Sequence, residues 1–225
     1  MKKYLIVVAG GKGLRMGQLI PKQFMLLCGR PILFHTLEAF HNYDPSIEII
    51  IVLPEDQKTY WSELCDSYSF FISHQIATGG ETRFDSVKNG LEKIPEGVLI
   101  AVHDGVRPLI TRDVIERVFA EAEEKKAAYP VIPVTDSLRR YIENGDSMSV
   151  DRSKYCLVQT PQIFHSSLLK EAYNQNYQET FTDDISVVEA MDGCVPVMVE
   201  GSKKNLKITT SFDLVLAESL IKCKI

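Results

Sequence analysis

The chain has 225 residues, 45% of them apolar, with a formal net charge of -5. That length suits one domain spanning 1–225, and that composition a complete globular core. Without a long basic run there is no electrostatic footprint for nucleic acid, so any cationic site must be local and aimed at a small anion.

Lys2-Lys3 opens the chain ahead of an apolar run that stops at Gly10-Gly11-Lys12, too early for a secretory signal. YLIVVA (4–9), IEIIIVL (47–53), VLIAVHD (98–104) and AAYPVIPV (127–134) lack polar alternation, as strands covered on both faces should. Amphipathic stretches separate them. Pro31–Asn42 predicts a helix with proline at its first position. Glu55–Tyr68 and Arg83–Ile94 predict two more, the second capped by Thr82. Thr111–Lys126 predicts a fourth, with Lys125-Lys126 at the negative end of its dipole. This alternation specifies an α/β sandwich around a mostly parallel sheet.

The rhythm breaks after Pro133. Residues 135–164 have no helical period, Asn144-Gly145-Asp146 is a hairpin-turn signal, and Leu138, Tyr141, Met148 and Val150 alternate around it. The expectation is a β-arm over 135–160 projecting from the domain. Such an arm buries little by itself, which predicts dimerisation through it. Helices from about Ser166 and from Thr182 follow, then β-like VPVMVEG (195–201) and NLKITT (205–210). A last helix opens with Thr210-Ser211-Phe212-Asp213, a start resembling a capping box. No apolar stretch approaches the roughly 20 residues of a membrane span. Cys28, Cys65, Cys156, Cys194 and Cys223 are scattered and include no C-x-x-C pair, which reads as reduced thiols in a cytoplasmic protein.

The chemistry-bearing stretch is AGGKGLRMG, Ala9 to Gly17, placed where α/β sheets bind ligands, past the carboxyl end of the first strand. Met16 stands where a dinucleotide fingerprint needs its third glycine, and Gly17 is followed by Gln18-Leu19 instead of the Lys-Ser/Thr of a phosphate-hydrolysis loop. What remains is a glycine backbone that lets N–H groups approach phosphate oxygens, with cations at Lys12, Arg15 and Lys22.

The spacing Ala9-Gly10-Gly11-Lys12-Gly13-Leu14-Arg15-Met16, then Pro21-Lys22-Gln23, resembles the signature of sugar- and polyol-phosphate nucleotidyltransferases. Further motifs resemble the cytidylyltransferase branch in order along the chain. They are Gly79-Gly80-Glu81-Thr82-Arg83-Phe84-Asp85-Ser86-Val87, His103-Asp104-Gly105-Val106-Arg107-Pro108, Pro133-Val134-Thr135-Asp136-Ser137, Val150-Asp151-Arg152, Gln159-Thr160-Pro161-Gln162-Ile163-Phe164, Thr182-Asp183-Asp184 and Asn205-Leu206-Lys207-Ile208-Thr209. The chain is most similar to the 2-C-methyl-D-erythritol 4-phosphate cytidylyltransferase family, with ribitol-5-phosphate cytidylyltransferase as a sister. There are two departures from the pattern: Ser137 replaces the usual threonine and keeps its hydroxyl, and Gly105-Val106 replaces an alanine pair.

The resemblance implies a Rossmann-like nucleotidyltransferase sandwich, a homodimer joined by the arm, and CTP and a polyol phosphate as substrates. Magnesium would be held mainly by CTP phosphates, with no dedicated set of protein ligands. The attacking group is already an anion, so catalysis is positioning and charge stabilisation. Arg15 and Lys22 are the candidates for the triphosphate and transition state, Lys207 for the attacking phosphate, and Arg152, by resemblance, for the same phosphate from the other subunit. Ala9, Gly10, Gly11 and Gly13 would cradle CTP, and Gly80, Glu81 and Ser86 would read cytosine. Asp104 could meet magnesium or a hydroxyl. Arg107 could touch substrate or buttress its loop, as could Arg83. Ser137 would hold phosphate, and Thr182 a polyol hydroxyl or its own helix. A non-catalytic regulatory module of the same fold is the alternative of another class, and the presence of all three cations Arg15, Lys22 and Lys207 argues against it.

Overall fold

The structure is a computed structural model that describes residues 1–11, 20–191 and 193–223. All four predicted strands form: β1 (Lys3–Val8), β4 (Glu48–Leu53), β6 (Leu99–Asp104) and β7 (Ala127–Pro133). A short hairpin, β2 (Leu26–Leu27) with β3 (Arg30–Pro31), lies between β1 and β4. Cys28 (φ 50°) and Gly29 (φ 81°) turn it through the left-handed region. The central sheet adds strands with weaker sequence signals: β5 (Gln75–Thr78), β10 (Cys156–Val158), β11 (Gln162–His165) and β12 (Val197–Glu200).

From one edge to the other the order is β12, β7, β11, β6, β1, β4, β5, with β10 continuing the line of β11 beside the far end of β7. β1 pairs in parallel with β4 and β6, β4 with β5, and β7 with β12. β11 and β10 run antiparallel to their neighbours, so one reversed line is inserted into an otherwise parallel sheet.

Seven α-helices are found among the described residues. α1 (Ile32–Tyr43), α2 (Lys58–Ser67) and α4 (Arg112–Lys125) cover one face, and α3 (Arg83–Leu91), α5 (Ser166–Ala172) and α6 (Asp184–Glu189) the other. Leu5 and Val7 enter the first core while Tyr4 and Ile6 enter the second, which is why β1 reads as an unbroken apolar run. Each fully buried Leu or Ile contributes about 1.5–3 kcal/mol. α7 (Ser211–Lys222) closes a third, smaller cluster, in which Ala217 meets Met25, Leu27, Ile32, Val106 and Ile208.

Several boundaries differ from expectation. Pro31 is the residue before α1, paired with Leu26 in the β2–β3 hairpin, and not its first helical residue. A single 3-10 turn, Glu55–Gln57, precedes α2. Asp183, not Thr182, caps α6, because its carboxylate accepts the Ser186 N–H while the Ser186 hydroxyl accepts the Asp183 N–H. Thr82 caps α3 and Thr210 caps α7 as predicted, each in a reciprocal box with an aspartate three residues on. Residues 205–210 form no strand. Asn205 and Ile208 are buried there, and Ile208 N–H donates to the Val106 carbonyl.

The expected hairpin is present. β8 (Arg139–Tyr141) pairs antiparallel with β9 (Ser147–Ser149). Asn144 and Gly145 take φ of 65° and 81°, the left-handed conformations a tight hairpin turn demands.

Candidate active site

The cleft opens where the sheet's parallel strands end. It holds about 280 Å³ and is walled by three loops. Val8, Ala9, Gly10 and Gly11 come from the end of β1, Gly80 to Thr82 from the loop into α3, Arg83 and Ser86 from the first turn of α3, and Asp104 from the end of β6; Lys22, Gln23, Val106 and Lys207 complete it. Of the predicted site residues, Ala9, Gly10, Gly11, Lys22, Gly80, Glu81, Ser86, Asp104 and Lys207 thus meet at one place. Arg15 and Gly13 lie outside the described residues.

Gln23 joins the two halves of the first motif. Its amide nitrogen donates to the Ala9 carbonyl at 2.6 Å and to Gln57 Oε1 at 2.7 Å, and the side chain is buried. That anchor sets Lys22, its neighbour, beside the glycine loop. The Lys22 stem passes so near Gly11 that a Cβ there would come 3.1 Å from Lys22 Cε.

The second loop is shaped by its own hydrogen bonds. The Ser86 hydroxyl donates to the Thr82 carbonyl at 2.9 Å and accepts the Gly80 N–H at 3.1 Å. Ser86 therefore holds the loop's curve in addition to lining the cleft. Gly80 is obligatory, since a Cβ there would come within 2.2 Å of Asp85 Cβ, in the residue that completes the α3 capping box. Glu81 stands exposed at the rim.

Arg83 lines the cleft but is held from behind. Its guanidinium makes two parallel bonds to Asp184, at 2.9 and 2.6 Å, and Asp184 also accepts the Tyr173 hydroxyl at 2.6 Å. Asp184 is fully buried, so a two-pronged charged partner offsets its desolvation. This pair ties the second loop to α6 and supports the structural reading of Arg83.

The floor is built on Asp104. One carboxylate oxygen, Oδ2, accepts from Arg107 Nε at 2.9 Å and lies 3.1 Å from Lys207 Nζ. Burial opposes ionisation of Asp104, but Lys207, Arg107 and Arg83 prevail and hold its carboxyl well below the usual carboxylate range. Arg107 also donates to the Asn205 carbonyl at 2.8 Å and does not line the cleft. Its geometry is that of a buttress. His103, the preceding strand residue, is fully buried between the Thr160 hydroxyl (3.0 Å) and the Arg107 carbonyl (3.2 Å). Burial pushes its imidazole down to about 3. Gly105 has a packing reason: a Cβ there would lie 3.1 Å from both Ala9 Cβ and Leu33 Cδ1.

The remaining predicted residues stand apart from the cleft. Arg152 and Ser137 are exposed on the arm, where Arg152 donates to the Thr135 carbonyl. Thr182 is exposed just before α6. Buried polar supports escaped the sequence reading: Gln23, which bonds Ala9; Asp184, which holds Arg83; Gln159, which bonds Ser202; and Asn205, which accepts from Arg107. A buried polar residue inside a motif was the available signal, and only contacts between distant segments give it meaning.

Glycine amides and lysines at the carboxyl edge of a parallel sheet, with a second loop braced opposite, define an α/β enzyme fold of the nucleotidyltransferase type. The family model for 2-C-methyl-D-erythritol 4-phosphate cytidylyltransferase matches residues 4–223. The chain belongs to that family. A relative from Azobacteroides pseudotrichonymphae carrying this name is 56% identical over 98% of this chain and 99% of its own length. One from Bacteroides thetaiotaomicron is 52% identical over 98% of this chain and all of its own. The solved structure of the Thermus thermophilus cytidylyltransferase superposes with a TM-score of 0.80 at 32% identity, covering 99% of this chain and 100% of that one.

Proposed function

We propose that this chain transfers the cytidylyl group of CTP to 2-C-methyl-D-erythritol 4-phosphate, in the synthesis of isoprenoid precursors. The observation that carries the reading is the convergence of Gly10, Gly11, Lys22 and Lys207 on one cleft, in a chain 52–56% identical to relatives of that name. A phosphate oxygen of the polyol attacks the α-phosphorus of CTP in line. The bond from that phosphorus to the bridging oxygen breaks, and pyrophosphate leaves with the electron pair. Both reactants are anions, so the protein's work is to neutralise and align them.

Lys22 and Arg15 hold the triphosphate, with Gly10 and Gly11 allowing close backbone approach and Gly13 assigned to the same ligand on the strength of its motif. Lys207, steadied by Asp104, meets the attacking phosphate. Gly80, Glu81 and Ser86 face the base, and Arg107 keeps Asp104 in place. Thr182 and Ser137 are assigned to polyol and phosphate on the strength of their motifs. Among the described residues no cluster of three or more His, Cys, Asp or Glu side chains could hold a metal. Asp104 alone on the floor, with Glu81 at the rim, fits magnesium carried in on nucleotide phosphates, an ion that keeps waters and takes few protein ligands. Such an ion would neutralise charge on the triphosphate and the departing pyrophosphate.

The chain acts as one catalytic domain over 1–225, with the 135–160 arm reaching a second copy and Arg152 serving that copy's site. Exposed Tyr141 and Leu157 on the arm support this. We place the protein in the cytoplasm: all five cysteines are free, and among the described residues no helix is long and apolar enough to cross a membrane. Neither nucleic acid nor membrane is a partner.

Purified protein supplied with CTP, Mg²⁺ and either methylerythritol phosphate or ribitol 5-phosphate tests the assignment. Pyrophosphate release with the first substrate is expected. Release with ribitol phosphate alone would reassign the polyol, and no release with either would return the chain to a non-catalytic role.

A further inference from the structure

Lys207 belongs to a segment without a sheet ladder, so something other than strand pairing must fix where its ammonium stands. Asn205, two residues earlier, is fully buried. Its side-chain amide donates to the Thr160 carbonyl at 2.7 Å, at the root of the arm. Its main-chain carbonyl accepts from Arg107 Nη1 at 2.8 Å. Arg107 in turn grips the Asp104 oxygen that Lys207 faces. The contacts close a ring: Asn205, Arg107, Asp104, Lys207, and back along the chain to Asn205.

Gln159, at the foot of β10, clamps the same segment from the arm side. Its Nε2 donates to the Ser202 carbonyl at 2.9 Å and its Oε1 accepts the Ser202 N–H at 3.2 Å. The fit is close, since a Cβ on Gly201 would come 2.5 Å from Gln159 Oε1. A short buried side chain with an N–H donor is what the Thr160 carbonyl requires. Aspartate has the same shape but would set a carboxylate against that carbonyl.

We propose that Asn205 is a positioning residue for cytidylyl transfer, locking the Lys207 segment to Arg107 and to the root of the arm so that Lys207 and Asp104 meet at a fixed separation. The proposal rests on Lys207 being the cation for the attacking phosphate. It differs from a general bracing role in acting on one ammonium group.

Asn205→Ala, Asn205→Asp and the gentler Gln159→Leu are compared with the wild-type protein in two measurements. The first is the rate at which an acetylating reagent modifies Lys207 in the substrate-free protein, read by mass spectrometry against Lys222. All three variants should label several-fold faster at Lys207 and unchanged at Lys222. The second is steady-state kinetics: KM for methylerythritol phosphate should rise about tenfold while KM for CTP stays within about twofold. In a Lys207→Gln background the Asn205 substitutions should add no further loss, because their effect passes through that lysine. Wild-type labelling of Lys207 in a folded Asn205 variant overturns the proposal, as does an equal rise in both KM values. If neither Asn205 variant folds, Gln159→Leu decides, and wild-type labelling there overturns it. Absence of turnover by the wild-type enzyme would instead overturn the assigned reaction, leaving the labelling to judge Asn205.

Discussion

β6 and the β8–β9 hairpin are both short extended segments in motif-bearing regions, and they are held in opposite ways. All six residues of β6 are buried, whereas the hairpin strands are exposed at every position but Ser147. Asp104, ending β6, is fixed by two cations and a backbone bond to the Thr160 hydroxyl. Arg152, just beyond the hairpin, reaches the Thr135 carbonyl of its own arm. The floor of the site is preorganised by the fold that contains it. The arm carries Arg152, proposed for the chemistry, and the exposed apolar Tyr141 and Leu157, without packing of its own to hold them. A two-stranded hairpin is marginal without a further surface, which is the physical ground for assigning the arm a partner.

The sharpest way to press this contrast is to remove a charge from each region. Lys207→Gln takes away a cation whose surroundings are fixed in advance. Turnover should fall on the order of a hundredfold to a thousandfold with the melting temperature little changed, as pyrophosphate release and thermal unfolding would reveal. A loss under fivefold would remove Lys207 from the reaction.

For the arm, the informative experiment mixes two inactive proteins, Arg152→Ala and Lys22→Ala. If each site borrows its arm from a partner, a mixed dimer has one intact site, and random exchange restores roughly a quarter of wild-type activity. No recovery after verified subunit exchange would make the arm serve its own chain.

A smaller effect separates the regions by pH. His103 is neutral in the fold, its imidazole lowered from an ordinary 6.5 to about 3 by burial. Between those values the unfolded chain binds a proton that the folded chain does not. Its contribution is therefore complete above about pH 6.5 and declines as the solution is acidified, by on the order of 2 kcal/mol at pH 5. Urea unfolding of His103→Gln should show a flatter acid limb than the parent, and an unaltered slope would contradict it. The arm supplies no such buried titrating group. Accordingly Tyr141→Ser, at a residue 87% exposed, should change unfolding free energy by less than about 0.5 kcal/mol while weakening dimers in sedimentation. A large loss of stability at concentrations where the chain is monomeric would show that the arm already packs within one chain.

Much of the layout was legible because it follows from local rules. Unbroken apolar runs gave β1, β4, β6 and β7, since residues alternating between two covered faces leave no polar position. Thr82 and Thr210 were readable as caps because the aspartate that completes each box lies three residues away. Asn144-Gly145 marked the hairpin through its left-handed conformations. By contrast β10 is short and exposed, β11 is short, and β5 is half-buried, so their signals were faint. Thr182, read as either a polyol contact or the cap of its helix, lies one residue before the cap, because Asp183 accepts the Ser186 N–H while the Ile185 N–H goes to Gln162.

The sequence by itself determined the α/β class, the glycine loop with Lys22 at its exit, and the family, because periodicity and motif spacing are properties of neighbouring residues. Tertiary structure alone decided that Lys207 faces Asp104 across 103 positions of chain, that Arg107 braces this carboxylate, and that Arg83 is held at the cleft wall by Asp184. A buried charge must find a partner wherever the fold brings one, and which distant segment supplies it is fixed by the packing of the sheet.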